Sequence, residues 1–503
     1  MPISLNKLKV KILGIETQHE HIVFMRDDCH VCTSEGFQAL TRLKLYNGSN
    51  SLVASLNVVT NKSLLEEGEI GLSNSAAESL YVKDGEIIEL THLPPINSLS
   101  HVRSKVYGNK LDSKQMNAIV EDIVKENYSN VHLAAFITAC VGKNMDIDEI
   151  VYLTKAMINT GKKISWWSDI VVDKHCVGGL PGNRTTPIVV AISAAAGLLI
   201  PKTSSRAITS PAGTADTMET MAPVNLSRER IKSVVKKEGG CIVWGSIAEL
   251  SPADEILIRV ERALDLDSEG QLIASVLSKK VAVGSTHIVI DIPVGKTAKV
   301  RTEDQAERLK YYFKVVGKSV GLKVKVLITD GEQPVGRGIG PSLEAIDVLS
   351  VLKNENTAPL DLRKRSIEIA GALLELCSRT GNGEGPDMAE DFINSKKAYN
   401  KFLSICKAQG GFKEPEYGKF NKVIYSGKAG TVKEINNRKL AMVAKLAGAP
   451  QDSSAGVYFD SPLGKKVRKG DCLFTIYAES QGELDYACGY LDSLDGNNII
   501  SIT

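Results

Sequence analysis

The stretch from Asp169 to Glu219 constrains the fold more than any other part of the chain. A strand-like run, Asp169 to Asp173, enters the glycine-rich segment Lys174-His175-Cys176-Val177-Gly178-Gly179-Leu180-Pro181-Gly182-Asn183-Arg184-Thr185 and leaves it through Thr186-Pro187 into a long apolar helix. Thr186 suits an N-cap, and Pro187 suits the first helical position, where its missing N–H is no loss. A second strand-like run, Leu198 to Ile200, passes through a polar loop into another helix from about Ala215. Strands alternating with helices in this way predict an α/β sheet.

The text on either side reads differently. Up to Pro95, short β-like runs (Lys9 to Ile15, His21 to Met25, Glu86 to Leu90) alternate with turns, which predicts a small β-rich domain. From Asp112 to Thr160 the pattern is helical. Asp112 and Gln115 have the spacing of a capping box, Ser129 or Asn130 opens a second helix, and Gly161 stops a third. Ser251-Pro252-Ala253-Asp254 starts a helix through Leu264, and another runs from about Gly270 to Lys280. Further α/β text (His287 to Ile292, Leu322 to Ile328, Pro341 to Leu352) reaches the linker Gly381 to Pro386, and from about Glu416 short strands and turns return.

At 503 residues the chain has room for about three or four folding units. Lys and Arg number 61 against 59 Asp and Glu, a formal charge of +2, so it lacks the broad basic field that nucleic-acid binding needs. The longest apolar stretch, Ile188 to Ile200, is interrupted by Ser193 and Gly197 and falls short of the ~20 residues of a membrane span. The start, MPISLNKLKV, has neither the apolar core nor the cleavage site of a secretory signal. Nine scattered cysteines do not form a disulfide framework. These features lead us to expect a cytoplasmic protein with no membrane or nucleic-acid partner.

Three segments carry candidate chemistry. The loop from Lys174 to Pro187 would present backbone N–H groups toward a helix N-terminus, an arrangement that favours anions, with Lys174 and Arg184 adding charge and Thr185 and Thr186 hydroxyls. An ordinary strand-to-helix turn has the same composition. The segment Lys202-Thr203-Ser204-Ser205-Arg206-Ala207-Ile208-Thr209-Ser210-Pro211-Ala212-Gly213-Thr214-Ala215-Asp216 reads as a second polar cradle, leading into a helix capped by Asp216 and Glu219. In the third, Ser275 and Lys279 lie four apart on one helical face, with Asp267 just before that helix. A solvent-facing stripe would look alike.

Together these segments resemble the pyrimidine-nucleoside phosphorylase family. Ser204-Ser205-Arg206-Ala207 through Ala212-Gly213-Thr214-Ala215-Asp216 and Glu219 is similar to its signature loop, and Lys174-His175 with Gly178-Gly179 to its phosphate loop. Three departures stand out: Cys176 and the extra residue at Leu180-Pro181-Gly182 in the phosphate loop, Ile208-Thr209-Ser210-Pro211 in the signature loop, and the N-terminal domain. All but Cys176, where Ser is usual, resemble the branch acting on nucleoside monophosphates.

The resemblance implies a fold of helical domain plus large mixed-sheet α/β domain, an α/β and α+β multidomain chain. Its parts would be residues 1–95 (β-rich, for assembly), 96–163 joined by about 252–283 (helical), 164–251 with 284–415 (α/β, phosphate-binding) and 416–503 (C-terminal α+β). The implied reaction is phosphorolysis of AMP, and of CMP or UMP, to free base and ribose 1,5-bisphosphate. The alternative is a thymidine or pyrimidine nucleoside phosphorylase giving (deoxy)ribose 1-phosphate. By resemblance, Asp267 matches the proton donor. Gly179, Ser205, Arg206, Ala207, Ile208, Thr209, Ser210, Thr214, Ser275 and Lys299 match substrate contacts, and Lys174 and Ser204 match contacts to inorganic phosphate. Arg206 is the first choice for a 5′-phosphate, because a guanidinium fork binds phosphate oxygens in pairs. No metal or other cofactor is implied; phosphate is a co-substrate, and the partner is a second copy, with larger assembly through the N-terminal domain. A phosphoribosyltransferase of the anthranilate type and a nucleotide-binding regulator that lost catalysis are further rivals. Cys29-His30-Val31-Cys32, Gly336 to Gly340, His132 and His287 read as structural.

Overall fold

The computed structural model describes residues 6–17, 20–142, 144–207, 210–245, 251–266, 268–494 and 499–503. It divides into two compact units, Met1–Cys140 with Ile256–Leu266, and Val141–Glu255 with Asp267–Thr503.

In the first unit, alternating inward apolar and outward polar residues build β1 (Lys7–Ile12), β2 (Ile22–Arg26), β3 (Arg42–Asn47), β4 (Asn50–Val59), β5 (Glu69–Leu72) and β6 (Ile87–His92). These close into a barrel in the order β1-β5-β2-β4-β3-β6. Neighbours β1–β5 and β2–β4 run parallel and the rest antiparallel. Closure leaves no free sheet edge. Leu8, Val10, Val23, Met25, Leu43, Leu45, Ile70 and Leu90 fill the interior, joined by Val31 of α1 (His30–Glu35) and Ala76 of α2 (Asn74–Leu80). The helices α3 (Leu99–Val106), α4 (Ser113–Val124) and α5 (Asn130–Ala139) follow. The expected capping box is present: Gln115 N–H donates to Asp112 Oδ1 at 2.9 Å, and Asp112 N–H to Gln115 Oε1 at 3.0 Å. Ser129, not Asn130, caps α5. Arg42 on β3 ties the barrel to these helices by donating to the Glu126 and Tyr128 carbonyls.

The second unit begins with α6 (Ile147–Thr160), which Gly161 ends, and enters the α/β part: β7 (Val172–Cys176), α7 (Thr185–Ala195), β8 (Ile200–Ser204), α8 (Thr214–Glu219), α9 (Arg228–Glu238) and β9 (Gly240–Trp244). After α10 (Pro252–Leu264), along which the chain passes from one unit to the other, come α11 (Glu269–Ala282), β10 (His287–Val294), α12 (Glu303–Ser319) and β11 (Lys323–Asp330). Strands β11, β10 and β7 form one parallel sheet, and β8 and β9 another. The short β12 (Gly338–Ile339) precedes α13 (Pro341–Leu352), α14 (Leu360–Leu376), α15 (Gly385–Asn394) and α16 (Lys397–Gln409). Helix α7 is buried from Thr185 to Ala194; a helix apolar all round has to be central. It packs with α14 and α16 into the main core through Ile188, Val189, Ile192, Leu373 and Phe402.

The C-terminal part has β13 (Phe420–Tyr425), β14 (Gly430–Ile435), α17 (Asn437–Leu446), β15 (Gly456–Phe459), β16 (Lys466–Val467), β17 (Cys472–Ala478), α18 (Gln481–Ser493) and β18 (Ile500–Ile502). Antiparallel sheets β12-β15-β17-β13 and β16-β14-β18 enclose their own core around Phe459, Leu473 and Phe474.

Three boundaries differ from the sequence expectation. β7 runs on to Cys176, because β10 pairs with it from His287↔Val172 to Asp291↔Cys176, so Lys174 and His175 are strand residues. β8 reaches Ser204 because β9, a strand the sequence pattern left unmarked, pairs with it from Ile200↔Gly240 to Ser204↔Trp244. Helix α7 starts at Thr185, one residue after its Arg184 N-cap and earlier than Thr186-Pro187 implied. Gly182 (φ +67°) and Asn183 (φ +54°) turn the chain early, and Thr185 N–H closes on the Asn183 carbonyl at 2.8 Å.

Candidate active site

A fully buried charge cluster lies beneath the first loop. Asp173 on β7 holds Lys202 Nζ of β8 at 3.1 Å through Oδ1 and Lys280 Nζ of α11 at 2.8 Å through Oδ2. Two lysines share one carboxylate. Burial pushes the Lys280 pKa down, while the neighbouring Lys202 and Lys280 hold Asp173 ionised against its own burial. His175, next along β7, is driven well below its ordinary pKa by burial and by Lys280, Lys202, Lys279 and Lys174, and is a neutral imidazole at pH 7.

The loop above turns on residues in the left-handed region: Gly178 (φ +94°), Gly179 (φ +82°), Gly182 and Asn183. At Gly179 the requirement is absolute, because a Cβ would lie 2.4 Å from the Lys299 backbone nitrogen. The loop thereby touches the segment carrying Lys299. Lys174 is buried and donates to Thr185 Oγ1 at 2.6 Å, with its pKa pushed down chiefly by burial. Cys176 lies near Asn183 Nδ2 (3.4 Å); burial, and then the neighbouring Asp291 carboxylate, push its thiol up to about 12. It is a neutral S–H, a weak donor where a hydroxyl would be a good one.

The second loop folds back on itself at Gly213, whose Cβ would meet the Ala207 nitrogen at 2.5 Å. Asp216 Oδ2 accepts from Ala207 N–H (2.7 Å) and Gly213 N–H (2.9 Å), pinning both ends of the loop. Ser204 Oγ is buried without a hydrogen-bond partner among the described residues. Ser210 Oγ donates to the Ala212 carbonyl, and the Ser205 carbonyl accepts from Ala215 N–H.

The two arginines have different fates. Arg206 is neutralised: Nη1 meets Glu219 at 2.6 Å and Asp216 at 3.1 Å, Nη2 meets Glu219 at 2.9 Å, and the guanidinium lies 5.0 Å over the Trp244 ring. Glu219, read from sequence as a helix cap, is its partner instead. Arg184 points inward and bridges the loops. Its Nε binds Glu344 Oε2 of α13 at 2.6 Å, Nη1 donates to Thr214 Oγ1 at 2.7 Å, and Nη2 to the Ala212 carbonyl at 3.0 Å. Glu344 also accepts from Thr217 Oγ1 at 3.1 Å; burial raises its pKa and Arg184 opposes the rise.

Lys174, Gly179 and the backbone of Lys299 thus meet at one loop, and Ser204, Ser205, Arg206, Ala207, Ser210 and Thr214 at the other, with Arg184 joining the two. Ser275 and Lys279 share the half-exposed face of α11; Lys279 binds Asp254 at 2.7 Å. Asp267, Ile208 and Thr209 lie outside the described residues. Sequence reasoning missed Glu344, Thr217, Asp291 and Trp244. Nothing local marks Glu344 or Asp291, since each lies in a largely apolar element and meets its partners only through the tertiary fold.

Residues 100–161 match the helical bundle domain of the glycosyl transferase family, 168–399 its a/b domain, and 431–493 the pyrimidine nucleoside phosphorylase C-terminal domain. A Legionella pneumophila (strain Paris) protein named "Putative thymidine phosphorylase" is 56% identical over 484 residues, covering 96% of this chain and 93% of its own. The chain belongs to the thymidine/pyrimidine nucleoside phosphorylase family. A Hahella chejuensis relative of the same name is 53% identical over 488 residues (97% and 96% covered). Among solved structures, anthranilate phosphoribosyltransferase from Thermus thermophilus matches with a TM-score of 0.52 at 17% identity, over 61% of this chain and 98% of its own, a likeness of fold alone. The protein is a pentosyltransferase of this phosphorylase family, working on small-molecule substrates and phosphate. No helix among the described residues is long and apolar enough to cross a membrane.

Proposed function

We propose that the protein cleaves a pyrimidine nucleoside, thymidine or uridine, with inorganic phosphate, releasing the free base and (deoxy)ribose 1-phosphate. The observation that carries this choice is the pairing of Arg206 with Glu219 and Asp216. A 5′-phosphate at that guanidinium would sit beside two carboxylates. The first loop, with Lys174, Thr185, left-handed glycines and a floor lined by lysines, suits one phosphate, and nucleoside phosphorolysis needs one. The names of the relatives favour the same reading.

In this reaction a phosphate oxygen forms a bond to the ribose anomeric carbon as the bond from that carbon to the base nitrogen breaks, the electron pair leaving with the base. Phosphate stabilises the positive charge developing on the sugar. Lys174 and the hydroxyls of Thr185, Ser204 and Thr214 orient it. A pyrimidine base spreads the departing charge from its ring nitrogen onto its exocyclic carbonyl oxygens, so donors near the base, Ser275 and Lys279, stabilise it, and Asp267 supplies the proton. A neutral His175 adds no competing charge.

The nucleoside-monophosphate reading, with AMP giving ribose 1,5-bisphosphate, is favoured by one contact. The close approach of Lys299 to Gly179 brings a further lysine-bearing segment to the phosphate loop, a source for a second anion site. Incubating the protein with phosphate and, separately, thymidine, uridine, adenosine and AMP, with chromatography of the base and mass spectrometry of the sugar phosphate, decides between the two. Base release from thymidine or uridine supports the proposal. Base from AMP alone, with ribose 1,5-bisphosphate, overturns it in favour of the nucleotide reading. Full kcat in Asp267→Asn would remove Asp267 as the acid.

A further inference from the structure

We infer that Arg184 and Glu344 are a positioning pair that fixes the hydroxyl of Thr214 as a hydrogen-bond donor to the bound anion, so that Arg184 acts through Thr214 and not by touching the anion itself. The inference rests on the reading above that an anion occupies the two loops. A guanidinium has donors only. In the 2.7 Å contact between Arg184 Nη1 and Thr214 Oγ1, the threonine oxygen therefore accepts, and its own proton must point elsewhere. No acceptor for that proton is found among the described residues. The same logic holds 2.6 Å from Lys174, where Thr185 Oγ1 accepts from the ammonium. Both hydroxyls are thus polarised by cations and left with one donor apiece; Thr185 is fully buried, whereas Thr214 is partly exposed and can offer its donor to an anion.

Arg184 can play this part because it is itself held. Glu344 takes Nε at 2.6 Å through Oε2, the Ala212 carbonyl takes Nη2 at 3.0 Å, and Thr217 Oγ1 donates to the same Glu344 oxygen. With three of its donors committed and its side chain mostly buried, the guanidinium has little freedom to swing onto a ligand. Lys could carry the charge here but not span Glu344, Thr214 and Ala212 at once.

The test is a double-mutant cycle in the full-length protein, read both as KM for phosphate against kcat and as the Kd of inorganic phosphate by calorimetry. Thr214→Val and Arg184→Lys should each weaken phosphate binding about tenfold while kcat falls less, and Thr214→Ser should restore it. The combination of Arg184→Lys with Thr214→Val should be no worse than Thr214→Val alone, because the two changes delete one contact. Glu344→Gln, nearly isosteric and keeping an acceptor for Nε, should weaken phosphate binding in the same direction, again without effect in the Thr214→Val background. Multiplying effects in the double variant would show that Arg184 meets the anion directly and would overturn the inference, as would unchanged phosphate affinity in Arg184→Lys. If wild type cleaves no nucleoside or nucleotide yet binds phosphate, the functional reading fails while the cycle in Kd still judges the pair. If wild type also binds no phosphate, both are overturned.

Discussion

Asp173→Asn removes the one carboxylate between two buried ammoniums, and its cost can be worked from the geometry. Ion pairs of 3.1 and 2.8 Å hold about 5 and about 6 kcal/mol of gross attraction at an effective dielectric constant of about 20. Much of that offsets the cost of burying the charges, and deleting one partner of a buried pair costs about 3–5 kcal/mol. The second unit has about 350 residues, and at ~2.1 cal/mol/K per residue of unfolding entropy each kcal/mol moves its melting point by about 1.4 °C. The variant should therefore melt about 4–7 °C lower near pH 7. The sign of the pH dependence follows from the stranded cations. With Asp173 gone, folding forces the buried Lys280 to shed a proton that the unfolded chain keeps, so the penalty is greatest at low pH and shrinks as pH rises toward the ordinary lysine range. Near-UV circular dichroism melts at pH 6, 7 and 9.5 read this directly, and Asp173→Asn combined with Lys280→Met should recover part of the loss by removing one stranded charge. A shift under 1 °C at pH 7, or a larger loss at pH 9.5 than at pH 6, would refute the view that Asp173 neutralises this floor.

Three further outcomes follow from the site and its surroundings. Cys176→Ser exchanges a weak neutral S–H donor for a hydroxyl and should lower KM for phosphate about threefold with kcat little changed, as initial rates over a phosphate series will show. Gly179→Ala drives a Cβ into the Lys299 backbone at a φ of +82° and must open the loop, so kcat/KM should fall about 100-fold, measured by base release. Burial raises the Asp347 carboxyl to about 7, although it accepts from Arg337 and Gly338 N–H. Between pH 4 and 7 the folded state thus holds a proton that the unfolded state has lost, so this group's contribution falls as pH rises through that window. The melting-point difference between wild type and Asp347→Asn should shift toward wild type as pH is lowered from 8 to 5.

Local chemistry was legible where the signal and its partner lie within one turn. The Asp112–Gln115 capping box, the Gly161 stop and the Pro252 start of α10 all stand where spacing put them. The runs at Lys9, His21 and Glu86 became β1, β2 and β6, but barrel closure was not legible, because it depends on β1 pairing parallel with β5, Lys9 against Glu69. The same limit explains the strand ends. Lys174 and Lys202 read as loop residues in a polar context, and only pairing with β10 and β9 makes them strand.

The contrast between Arg184 and Arg206 makes the limit chemical. Each is a lone arginine in a polar loop that leaves a strand and enters a helix, and by composition either could hold a phosphate. What separates them is which carboxylates the fold delivers. The chain turns back at Gly213 and α8 follows at once, so Asp216 and Glu219 reach Arg206 from thirteen residues or fewer away, and its charge is cancelled at the half-exposed rim. Arg184 meets a single carboxylate, Glu344, sent from 160 residues further along the chain, and spends its other donors on Thr214 and Ala212. An arginine cancelled by two acids has little left for an anion, whereas one anchored by a single acid can pass its polarity on through a hydroxyl. Which arginine keeps polarity to offer an anion turns on that distribution of partners, and a loop's count of basic residues does not encode it.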